Sequence, residues 1–120
     1  MAQLLNFNPK PTFKLTVSVT VPGEEQPGEL TLTVKHMKPA LWEALHKEAS
    51  DWMVANTEPT TEGLTAMQAD IMLKLVTGWA WAKVELNHEN MVATLENYPT
   101  FYPAVMAAYG AELWAVRAKS

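Results

Sequence analysis

The chain has 120 residues, 48% of them hydrophobic and 18% charged, with a formal net charge of -4. That size and balance suit one globular domain burying roughly 65% of its unfolded surface, and they exclude a disordered chain. The nine Lys and Arg residues are scattered, which argues against nucleic acid as a partner, and the lack of cysteine excludes thiol catalysis, disulfides and Cys-ligated zinc.

The opening stretch, MAQLLNFNPKPTFK, has neither a long apolar core nor a small-residue cleavage site, so no signal peptide is expected. No apolar run approaches the roughly 20 residues that span a bilayer, and no membrane association is expected either. Residues 1–12, with Pro9 and Pro11, read as an extended lead-in. Phe13, Leu15, Val17, Val19 and Val21 then alternate with polar residues, the period of a strand with one buried face. Leu30, Leu32 and Val34 repeat the pattern, and PGEEQPGE between them is a solvated acidic turn. Residues 13–35 therefore predict an antiparallel hairpin, whose apolar face must lie on other elements because an isolated hairpin is marginal in water.

Residues 39–118 read as helical. Pro39 suits the first turn of a helix, where its missing N–H costs nothing. Leu41, Trp42, Leu45, Ala49, Trp52 and Met53 form its apolar stripe, and the polar loop after Asn56 ends it. The stretch LTAMQADIMLKLVTGWAW, residues 64–81, carries the most apolar helical pattern. Thr65 and Gln68 have capping-box spacing, Asp70 and Lys74 can pair four apart, and Gly78 falls where a left-handed residue would close the helix. This helix is the expected centre of the core. Beyond it, Asn87 caps a brief helix bearing Met91, Val92 and Leu95, which Tyr98-Pro99 ends. Thr100 caps a last, alanine-rich helix with Pro103 in its first turn and Val105, Met106, Tyr109, Leu113 and Val116 on its apolar side. Gly110 within it predicts a loss of about 1 kcal/mol relative to alanine. The expected fold class is α+β: a β-hairpin followed by about four helices in one domain.

Few residues carry chemistry. Glu43/His46 and Glu85/His88 have the Glu-x-x-His spacing of di-iron bundles, but Asn87 as a cap would keep the second pair off a shared helical face. His88-Glu89 begins a zincin motif whose second histidine is replaced by Val92, and His36 reads as a strand-end residue. No catalytic residues, metal or cofactor are expected. Of the five tryptophans, Trp42, Trp52 and Trp79 read as core. Trp81, two residues past Trp79 and free to take the other side of the chain, and Trp114, beside Leu113, read as candidate exposed anchors.

One order of features is familiar. Val76-Thr77-Gly78-Trp79 closes a helix, Val84-Glu85-Leu86 leads to Asn87-His88-Glu89-Asn90-Met91, and Leu95, Tyr98 and Pro99 precede an alanine-rich helix. Over residues 64–111, and more loosely in the hairpin, the chain resembles the tail assembly chaperones of long-tailed bacteriophages with non-contractile tails. It departs from their usual pattern after Trp79, where Ala80-Trp81-Ala82 replaces an acidic residue and a glycine turn. The resemblance implies a non-enzymatic protein of the infected host's cytoplasm, absent from the finished virion. It implies binding to the tape measure protein and recruitment of tail tube protein through a longer, frameshifted form, this chain being the short one. Self-association would suit many copies on one tape measure. The expected partner-binding residues are Trp79, Trp81, Phe101 and Tyr102, near the junction of the central and last helices. A small structural head-tail connector or tail protein retained in the virion is the alternative, and a small metalloenzyme a third.

Overall fold

The computed structural model describes residues 5, 7, 9–81 and 83–115. Alternation in the hairpin becomes β1 (Thr12–Val19) and β2 (Gly28–Lys35), antiparallel with Leu15 opposite Leu32 and Val17 opposite Leu30. Pro22-Gly23 makes the turn between them, with Gly23 at φ 83° and the Glu24 N–H donating to the Val21 carbonyl at 3.0 Å. The β-branched and leucine face is buried, while the opposite face is laced by Thr16–Thr31 and Lys14–Thr33 hydrogen bonds of 2.9 and 2.7 Å.

Four helices follow among the described residues: α1 (Pro39–Ala55), α2 (Thr61–Leu75), α3 (His88–Asn97) and α4 (Phe101–Leu113). They interrupt for a third strand, β3 (Val76–Trp79), which pairs antiparallel with β2 and makes the sheet order β1-β2-β3. The class is α+β, with helices gathered on the apolar face of the sheet and α4 lying against β1. At the centre Leu32, Ala69, Ile71, Met72, Leu75, Met91, Val105 and Tyr109 are fully out of solvent.

The helical part thus contains a strand that periodicity concealed. Helix α2 ends at Leu75 with the Val76 N–H still donating to the Met72 carbonyl, and the chain passes straight into pairing with β2. Its last carbonyls need no glycine cap. Gly78 is not left-handed; it lies in β3 opposite Thr33, where an added Cβ would meet the threonine side chain at 3.6 Å, an ordinary contact. Gly78→Ala is therefore expected to leave stability unchanged or raise it by up to about 1 kcal/mol, as a urea titration would show; a loss above about 1 kcal/mol would restore the left-handed cap.

Other local expectations are corrected in the same region. The helix starts at Thr61, capped by the Thr60 hydroxyl, which accepts from the Gly63 N–H at 3.0 Å. Thr65 lies inside the helix, its hydroxyl donating back to the Thr61 carbonyl, so no Thr65/Gln68 box forms. Lys74 pairs with Glu48 of α1, and Asp70 lies 3.2 Å from His88 of α3, so tertiary partners displace the i,i+4 pair. Such pairs are worth only a few tenths of a kcal/mol and yield readily. At α4, Thr100 occupies the cap position in a helical conformation and makes no side-chain cap bond. Asn87 does cap α3, its side-chain oxygen accepting from the Asn90 N–H at 2.8 Å.

Coverage of α1 is narrower than its stripe. Trp42 and Leu45 are buried and Ala49 and Trp52 half-buried, whereas Leu41 and Met53, at the two margins of that stripe, are 57% and 45% exposed. Of the tryptophans read as core, only Trp42 is buried; Trp52 and Trp79 pack at its edge. Gly110 packs beside Trp42, where an added Cβ would stand 3.4 Å from the ring. Val116 and Ala82 lie outside the described residues.

Candidate polypeptide-binding surface

The segment between β3 and α3 is held by side chains rather than by regular structure. The Trp79 indole N–H donates to the Val84 carbonyl at 2.7 Å, and the Val84 N–H donates to the Trp81 carbonyl at 3.2 Å. The Asn90 side chain donates to the Glu85 carbonyl at 2.7 Å, fixing the segment to the first turn of α3. The two tryptophans therefore do not diverge: their ring centroids are 5.1 Å apart at 56°. Trp79 is the anchor, and Trp81 is carried to the surface beside it.

Trp81 helps line a hollow of about 130 Å³ with Val19, Val21, Leu30, Tyr98 and Phe101. A space of this size is in the range that accepts one aromatic ring. On its other side Trp81, again with Tyr98, borders a second concavity against Val84, Ala93 and Thr94 of the α3 region. The pair stands as a ridge between two depressions. Both side chains are half-buried.

Of the four residues expected to bind a partner, Trp81 and Phe101 are brought together and Trp79 supports them. Phe101 is 1% exposed and serves as the floor of the hollow rather than its rim. Tyr102, next along α4, turns toward α1 instead: burial, and then the negative charge of Glu48, push its phenol above the ordinary value. Sequence reading missed Tyr98, visible only as a helix-ending dipeptide, and the hairpin end. Val21 carried the signal, because it prolongs the apolar alternation beyond the last paired residue of β1. Trp114, the other candidate anchor, is 63% exposed at the end of α4.

Among the described residues no three His, Asp or Glu side chains assemble as a metal site. Nor, among them, is any helix long and apolar enough to cross a membrane. His36 lies in the connection after β2, His46 in α1 and His88 at the start of α3, all exposed.

Such a surface offers shape and apolar area on a small α+β protein. The model of the phage tail assembly chaperone family matches residues 1–120, and the chain belongs to that family. This is a chaperone class rather than an enzyme class, and it points to phage tail proteins as partners. No curated protein and no solved structure matches the chain.

Proposed function

We propose that the protein binds the tape measure protein during tail assembly, helps recruit tail tube subunits to it, and leaves before the virion is complete. The observation that carries this is family membership over residues 1–120. The surface beside Trp81 supports it, since a long helical client presents apolar side chains at i, i+3 and i+4, each suited to a hollow of one ring's size. Many weak contacts along one client add through effective concentration, so no single site must be tight. Recruitment of the tube subunit would fall to a longer, frameshifted form, and the work would take place in the cytoplasm of the infected host.

Co-expression with a tagged tape measure protein tests this directly. The wild-type chain is expected to copurify with it and to be missing from purified virions by mass spectrometry. Many copies in the virion would instead make it a structural tail or connector protein. Trp81→Ala is expected to reduce recovery about tenfold, equivalent to about 1.4 kcal/mol. Because the ring is only half-buried, the folded state should lose no more than about 1–2 kcal/mol. A loss of several kcal/mol with recovery per folded molecule unchanged would make Trp81 a core residue.

A further inference from the structure

A second concave surface lies away from the Trp81 hollow, along the seam of α1 and α2. It encloses about 900 Å³. Its floor is apolar: Met67 is buried, and Trp52 and Leu73 are half-buried. Its charged rim is Glu48, Asp51 and Asp70 against one ammonium, Lys74. On α2 the lining residues run from Gly63 to Lys74, which at 1.5 Å per residue is about 16 Å, three turns of helix.

We propose that this groove takes a helix of a partner protein whose apolar stripe is flanked by Lys or Arg. The inference deepens the reading given above and rests on it for the client being helical. A trough between two helices is filled best by a third, whose ridges enter the shared seam. Length and floor match three turns of such a helix. The rim selects its charge. Each rim carboxylate already has an exposed partner: Lys47 for Asp51 at 2.7 Å, Lys74 for Glu48, and His88 for Asp70 at 3.2 Å. These contacts are held in water, with Asp51 and Asp70 both 64% exposed, so an incoming guanidinium or ammonium displaces them at little cost. An acidic helix would add like charge to a rim that carries three carboxylates and one ammonium. Trp52, half-buried among them, is the aromatic anchor of the kind that dominates such contacts.

The probe is a labelled synthetic helix with leucines at i, i+3, i+4 and i+7 and lysines beside them, and its twin with glutamate for lysine. Binding is read by fluorescence anisotropy on the full chain. The lysine peptide is expected to bind, to weaken with added salt, and to lose about tenfold or more in affinity on the Asp51→Lys/Asp70→Lys double variant with Tm essentially unchanged. Equal binding of both peptides, or a double variant that binds the lysine peptide like wild type, overturns the groove. The outcome is separable from the function proposed above. Peptide binding without capture of any tail protein would sink that function and leave the groove standing. Capture that depends on Trp81 and ignores the rim charges would do the reverse.

Discussion

Tyr109→Phe is expected to cost about 1–3 kcal/mol, a large fraction of the stability of a domain this size, although it removes a single oxygen. Tyr109 has no solvent exposure, and its hydroxyl joins two backbone groups: the Met37 N–H donates to it at 2.8 Å, and it donates to the Lys35 carbonyl at 2.7 Å. Those groups flank the connection from β2 to α1, so one phenol of α4 fixes how the sheet hands over to the helices. Phenylalanine would leave a buried N–H without a partner, and that desolvation penalty sets the loss. The ring also stacks on Trp42, centroids 4.9 Å apart at 27°, and touches Phe13 at 5.7 Å. Trp42 in turn meets His46 edge-on at 4.5 Å. Tyr109→Ala removes the centre of this column as well and should cost about 3–5 kcal/mol beyond the hydrogen bonds, enough to unfold much of the population at 37 °C. Urea denaturation checks both. A Phe variant within about 0.5 kcal/mol of wild type would show that water replaces the hydroxyl.

Much of this was legible in the residues, and the misses have physical causes. The hairpin was clear because eight residues at strict period 2 leave no other way to bury one face. Helices α1, α3 and α4 were clear because Pro39, Asn87 and Tyr98-Pro99 mark their ends by backbone chemistry. Strand β3 was hidden because four residues are too few to show alternation. Ile71, Leu75 and Trp79 also keep the i, i+4, i+8 spacing of a helix across its boundary. Pairing with β2 decides the conformation there, and that is information held forty residues away. The true cap, Thr60, was masked by a better-looking pattern at Thr65, since Gly63 stands where a capping box needs Glu or Gln. The candidate surface was half legible. Aromatic type pointed to Trp81, but the hairpin end and the seam of α1 and α2 exist only once the chain is folded.

Phe101 is where the distinction between floor and rim is decided. At 1% exposure it contacts solvent almost nowhere, yet it borders the hollow with Trp81 and Tyr98. Phe101→Ala is expected to cost about 3–5 kcal/mol, lowering Tm by more than 10 °C, because the lost ring leaves a cavity that the first turn of α4 cannot close by itself. Capture of a client should fall only in proportion to the folded fraction. Phe101→Leu keeps most of the volume and should cost less than about 1.5 kcal/mol, with capture near that of wild type. A rim residue would behave the other way round, losing capture in the Leu variant with stability intact. Comparing Tm and recovery on the tagged tape measure for Phe101→Leu beside Trp81→Ala therefore separates a residue that shapes the hollow from one that grips what enters it.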